Sequence, residues 1–189
     1  MSRVAHITKQ TLSFYRESRH AVPVSLSEIL DNVIELQSRR FEMNRITLEK
    51  QFKTRGTIQG FPVELKQVFL NIIGNAVQAM PDGGRLRIRL VDSCDPRSGR
   101  KGVRVSVFDT GVGISREHSK RIFEPFFSTK EAKGTGLGLW ISKGIIQKYQ
   151  GTIRFRSMRF GSGNVTCFSI FIPATAEIES PELAGVLVA

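Results

Sequence analysis

Asn71-Ile72-Ile73-Gly74-Asn75-Ala76-Val77-Gln78-Ala79-Met80-Pro81-Asp82-Gly83-Gly84 is the stretch on which the architecture turns. Its apolar residues recur at helical spacing, which predicts a helix over 63–80. Pro81-Asp82-Gly83-Gly84 then stops it. Two alternating apolar–polar stretches follow at once, 85–91 and 102–108, joined by a polar loop holding Pro96 and Gly99. A helix followed by two strands in succession breaks the strand–helix alternation of a doubly wound sheet.

Upstream, Ser25-Leu26-Ser27-Glu28 reads as a capping box that opens a helix. Ile29, Leu30, Val33, Ile34, Leu36 and Phe41 continue its apolar face. Ile46, Leu48 and Phe52 alternate as a strand, Thr57-Ile58-Gln59 reads as a short second one, and Pro62 suits a helix start. Downstream, a glycine-punctuated region runs from Asp109 to Gly138, then a helix to about Tyr149 and two strands near 151–157 and 164–172. The expected fold class is α+β: a two-layer α/β sandwich whose mixed sheet is covered on one face by helices. Residues 1–19 carry Val4, Ile7, Thr11 and Phe14 at helical steps. That stripe suits a coiled-coil seam and an ordinary packed helix equally. Pro23 ends it.

The chain has 189 residues, 40% hydrophobic and 24% charged, which describes a soluble globular domain with a core of its own. No apolar run approaches the roughly 20 residues of a membrane span, and the first residues hold no signal-peptide core. Cys94 and Cys167 lie in no metal-ligand spacing and read as free thiols, so the expected location is cytoplasmic, with a full-length protein still free to be membrane-attached. The net charge of +11 favours anionic partners. The basic residues are nevertheless scattered along the chain, with no aromatic-interleaved stripe, so a solvated basic surface is the stronger reading and no nucleic acid is expected.

Three segments carry chemistry. Asn71, Asn75 and Gln78 share one helix face by their spacing. An amide oxygen there suits a hard cation such as Mg2+, and a merely wet face is the plainer alternative. Asp109-Thr110-Gly111-Val112-Gly113 follows an apolar strand. Asp109 is an acceptor that suits an exocyclic amine such as that of adenine, and the glycines permit close approach of a flat ligand. A tight turn headed by Asp is the alternative. Gly134-Thr135-Gly136-Leu137-Gly138 opens a helix, where free backbone N–H groups and the positive helix end bind anionic oxygens. No Gly-Lys-Ser/Thr follows, so it is not a P-loop, and no strand leads into it, so it is not a dinucleotide fingerprint. Between the last two segments, Phe123, Phe126 and Phe127 read as apolar anchors of a lid, with Lys130 and Lys133 within reach of a polyphosphate.

Taken in order, Asn71–Gln78, Asp109–Gly113, Phe123–Phe127 and Gly134–Gly138 resemble the N, G1, F and G2 boxes of the sensor histidine kinase family, and most of all its nitrogen-regulation branch. The family belongs with type II topoisomerases, heat-shock chaperones and mismatch-repair ATPases, and the match covers about residues 25–173. The resemblance implies ATP and Mg2+ as cofactors. It places Asn75 on the metal and Asn71 beside it or near the γ-phosphate. It places Asp109 on the adenine amine, Gly111 and Gly113 under the adenine, and Gly134, Thr135, Gly136, Leu137, Gly138 and Lys130 at the phosphates. The hydrolysing members carry a glutamate base four residues before the metal asparagine. Here that position is Asn71, which takes up no proton at neutral pH, so transfer is favoured over hydrolysis.

The resemblance also implies a phosphoacceptor histidine. His6, His20 and His118 all lack its sequence pattern. The expected organisation is therefore the end of a dimerisation helix and linker in 1–22, the ATP-binding catalytic domain in 23–173, and a flexible tail in 174–189. The implied partners are a dimerisation domain with the acceptor histidine, a response regulator through the full kinase, and a second copy through residues 1–19. Two rival readings are a non-enzymatic ATP-binding regulatory module and a nucleic-acid-associated ATPase.

Overall fold

The computed structural model describes residues 21–129, 134–160 and 163–174. The expectations for residues 1–19, for Lys130 and Lys133 and for the tail beyond Ala174 lie outside the described residues.

The chain runs β1 (Val22–Ser25), α1 (Leu26–Met43), β2 (Ile46–Phe52), β3 (Thr57–Gly60), α2 (Pro62–Gln78), β4 (Gly84–Cys94), β5 (Lys101–Asp109), a single turn α3 (Arg116–Ser119), α4 (Gly138–Lys148), β6 (Thr152–Phe160) and β7 (Gly163–Pro173). Ser25 caps α1 as its sequence predicts: its side chain accepts from the Glu28 N–H at 3.4 Å. Pro62 occupies the first turn of α2, where its missing N–H loses nothing. Strand β1 was not legible, because Pro23 reads as a helix stop. It pairs antiparallel with β3 in a separate two-stranded ribbon.

The main sheet has the order β2-β4-β5-β7-β6. The β2–β4 pair is parallel and the other pairs are antiparallel, so the sheet is mixed, as expected. Leu86, Ile88 and Leu90 of β4, Val103, Val105 and Val107 of β5, and Phe168, Ile170 and Ile172 of β7 form the covered face. Leu26, Leu30 and Val33 of α1, Leu65, Phe69, Ile72 and Ile73 of α2, and Ile146 of α4 share one core with them. Tyr149, fully buried after α4, accepts the Phe61 N–H at 2.7 Å and so ties the end of α4 to the start of α2.

The opposite face of the sheet is open and arginine-rich. Register puts Arg87, Phe108, Cys167 and Arg156 in one row, and Arg89, Ser106, Ser169 and Arg154 in the next. Arg104 hydrogen-bonds Ser93 and Ser169 and lies over the Phe171 ring, and Arg87 pairs with Glu49 at 2.7 Å. The charge that is scattered along the sequence is thus gathered by strand pairing. A period of two sends alternate residues to one face whatever their separation in sequence, which gives the solvated basic surface read from the sequence a definite place.

Candidate functional site

Helix α2 is the spine of the site. Asn71, Asn75 and Ala79 succeed one another at four-residue steps along it, roughly 6 Å of axis per step. Asn71 and Ala79 are fastened to different elements.

At the far end, just past the last turn of α2, Ala79 receives the loop after β5. Its carbonyl accepts the Val112 N–H at 2.9 Å. A Cβ on Gly111 would lie 2.4 Å from that carbonyl oxygen, so glycine is required for the contact. Asn164 donates to the Val112 carbonyl at 2.8 Å, and Ser157 accepts the Ile114 N–H at 2.9 Å. Gly113 has φ +80, a conformation that side chains disfavour. Asp109, at the head of this loop, is buried with 3% of its surface exposed. Burial pushes its carboxyl up to about 6, and the Gly111 N–H, donating to its Oδ1 at 3.0 Å, offsets part of that. The result is a rigid loop that holds one hydrogen-bond acceptor in an apolar surrounding.

At the other end, Asn71 is fastened to α4. Its Nδ2 donates to the Gly138 carbonyl at 3.0 Å and to Ser142 Oγ at 3.2 Å, while its Oδ1 accepts from Gln67 Nε2 at 3.0 Å. Helix α4 begins without a side-chain cap, since its N-cap residue is Leu137. Thr135 is exposed, and its hydroxyl accepts the Leu137 N–H at 3.4 Å. Gly136 has φ +66 and presses on the lid: a Cβ there would meet the Phe126 carbonyl carbon at 2.4 Å. Gly134 is exposed, and Leu137 and Gly138 are half-buried. An uncapped helix start beside a glycine loop leaves donors facing outward, as anion binding needs.

Between the two ends stands Asn75. It is half-buried, and its side chain makes no hydrogen bond with any described residue.

The lid corrects one expectation. Phe123 and Phe127 pack against the core, Phe123 edge-on to Phe155 at 6.1 Å and Phe127 under Arg121 at 4.5 Å. Phe126 does not anchor: it is 75% exposed, because its φ of +63 turns the side chain outward. Buried Ile122 takes the third place. Gln67 and Ser142 were missed in the sequence. Gln67 sits one more four-residue step before Asn71, and Ser142 is a hydroxyl in an otherwise apolar helix turn; both signals were present.

Residues 60–176 match the family model for histidine kinase-, DNA gyrase B- and HSP90-like ATPases. Sporulation kinase A of Bacillus subtilis (strain 168) is 36% identical over 83% of the chain, which spans 25% of that protein's length. The mycobacterial sensor histidine kinase MprB superposes with a TM-score of 0.70 at 29% identity, covering 82% of this chain and 99% of that one. Full-length ShkA in complex with AMPPNP gives 0.67 at 29% identity, covering 92% and 37%. ThkA in complex with the response regulator protein TrrA gives 0.67 at 28%, covering 92% and 48%. With the four ordered segments brought onto one helix-covered sheet, the chain belongs to the histidine kinase-, DNA gyrase B- and HSP90-like ATPase family, as the ATP-binding catalytic domain of a histidine kinase.

Proposed function

We propose that this domain binds Mg-ATP and transfers the γ-phosphoryl group to a histidine carried on a separate dimerisation domain. The observation that carries the reading is the unpartnered amide of Asn75, set between a buried carboxylate and an uncapped helix start. A half-buried amide whose oxygen is not engaged by another described side chain suits an oxygen-seeking cation. Asp109 would accept from the adenine amine, with Gly111 and Gly113 beneath the ring. The N–H groups at Gly134–Gly138, with Thr135, would hold the phosphate oxygens, and Lys130 is a further cation for them. Asn75 would hold Mg2+, which when bound offsets phosphate charge. Phosphoryl transfer asks a protein chiefly for alignment and charge stabilisation. The bond from the γ-phosphorus to its bridging oxygen breaks, a bond to the histidine nitrogen forms, and ADP leaves.

The acceptor is supplied from elsewhere. His118, the one histidine among the described residues, packs its ring on Phe127 at 5.6 Å and has no acceptor sequence around it. Residues 1–22 are read as the end of a dimerisation helix and linker, with a second copy meeting it through 1–19, and 174–189 as a tail. A response regulator receives the phosphoryl group from the full kinase, a partner class that the ThkA complex supports. A cytoplasmic location fits ATP supply, and no described helix is long and apolar enough to cross a membrane.

The test is incubation with radiolabelled ATP and a dimerisation domain supplied in trans. Label on the added domain, none on this chain and none with Asn75→Ala is the expected result. Mg-ATP binding without transfer to any cognate acceptor would replace this reading with the regulatory module.

A further inference from the structure

We propose that Gln67, Asn71 and Ser142 form a positioning relay that locks the phosphate-binding start of α4 to the metal-bearing helix α2, with Asn71 acting as a double donor. The proposal rests on the function above and assigns roles to two residues outside the four boxes.

The geometry is closed on itself. Asn71 has two N–H donors, and two oxygens face them: the Gly138 carbonyl at 3.0 Å and Ser142 Oγ at 3.2 Å. Its oxygen accepts from Gln67 at 3.0 Å, and the Gly138 carbonyl, which can only accept, forbids the flipped amide. Ser142 is wholly buried and donates to the same Gly138 carbonyl at 2.8 Å. That carbonyl therefore accepts from two side chains, at the first residue of the helix whose free N–H groups would face the phosphates. A Cβ on Gly138 would lie 3.3 Å from Asn71 Cγ, so the two helices are also in close contact there.

The identity of residue 71 follows from this. A glutamate or aspartate would turn acceptor oxygens toward the Gly138 carbonyl and drive α4 away from α2. Asn71 accordingly excludes a water-activating base and at the same time holds the phosphate helix in register with Asn75, one turn further along. Gln67 orients Asn71, and Ser142 completes its donor pairing. Glutamine, asparagine and serine do this with no charge, so the relay leaves the charge balance at the phosphates to Mg2+, the helix end and Lys130.

The decisive variant is Asn71→Asp. As a carboxylate it opposes the Gly138 carbonyl; once protonated, its O–H donates to that carbonyl again. The expected result is transfer reduced about 100-fold in kcat at pH 8, with KM for Mg-ATP changed by no more than roughly threefold, as for a misaligned but bound donor. The variant-to-parent ratio should then recover by about tenfold as pH falls to 5.5, a ratio in which titration of Asp109 cancels. Ser142→Ala keeps the packing and should lower kcat about three- to tenfold. Amide hydrogen exchange at Leu139–Ser142 should quicken in both variants without nucleotide. A pH-independent ratio, or Asn71→Glu gaining ATP hydrolysis while keeping full transfer, overturns the relay. If Asn71→Asp does not fold, unchanged kcat and unchanged exchange in Ser142→Ala overturn it instead. A parent chain that binds Mg-ATP but transfers nothing defeats the function and not the relay, which the exchange measurement reads alone.

Discussion

The two ends of the site are built on opposite principles. The end proposed for adenine is buried, rigid and charged: Asp109 lies 3% exposed at the head of a loop whose backbone is fixed to Ala79, Asn164 and Ser157. The end proposed for the phosphates is exposed, glycine-rich and uncapped. The contrast fits the proposed ligand. A flat, neutral base gains from apolar surroundings and one oriented acceptor. A polyphosphate needs many donors, a cation and access for the acceptor nucleophile. It also sets where stability is given up for function, because a carboxylate held near 6 by burial is strained whenever it is ionised.

The strongest way to break this contrast is Asp109→Asn. Its amide presents a donor where only an acceptor serves, so ATP affinity should fall by about 1.5–3 kcal/mol, or roughly 10- to 100-fold. The nucleotide-free domain should become more stable at pH 7, by up to about 3 kcal/mol, because the ionised buried carboxylate is gone. Calorimetry and thermal unfolding read the two together. Equal affinity in mutant and parent would remove Asp109 from the adenine end.

The pH dependence of the parent sharpens the same point. In the proposed role Asp109 accepts from adenine in its ionised form, so affinity should drop about tenfold between pH 7 and pH 5 as the group titrates near 6. Folding stability should move the other way. The folded pKa lies above the unfolded 3.8, so the native state binds more protons in that window. Stability contributed by the protonated group is present below about 4 and is lost as pH rises through about 6. Unfolding curves at pH 4.5 and 7.5, with and without ATP, check both signs.

At the middle of α2, Asn75→Ala should remove about tenfold of the affinity that Mg2+ adds for ATP and leave metal-free nucleotide binding unchanged. Titrations with and without Mg2+ separate these; an equal metal effect in the mutant would move the cation off Asn75. The smallest expected effect distinguishes two neighbouring lid residues, half-buried Phe127 and exposed Phe126. Phe127→Ala should lower transfer by roughly threefold through a loosened lid, and Phe126→Ala should change nothing measurable, since its ring already faces solvent. Matched single-turnover rates for the two variants test the lid.

Much of this protein was determined by sequence alone. Periods of 3.6 and 2 placed α1, α2, α4 and five strands of the sheet, because burial on one face imposes those periods locally. The glycines and Asp109 were legible because backbone freedom and buried acceptors need particular residue types. Tertiary structure alone decided the rest. The β1–β3 ribbon forms around Pro23, whose local signal ends a helix and allows extended backbone but does not name the partner strand. Six arginines lying on β4, β5 and β6 meet on one face through strand register. Phe126 faces outward although its neighbours anchor, since one positive φ reverses its direction. Asn71 is a donor to α4, because Gly138 and Ser142, some seventy residues distant, supply the oxygens. Local patterns record which residues prefer to be buried or bent; which distant groups they then meet is set by packing, and at this site the packing assigns the roles.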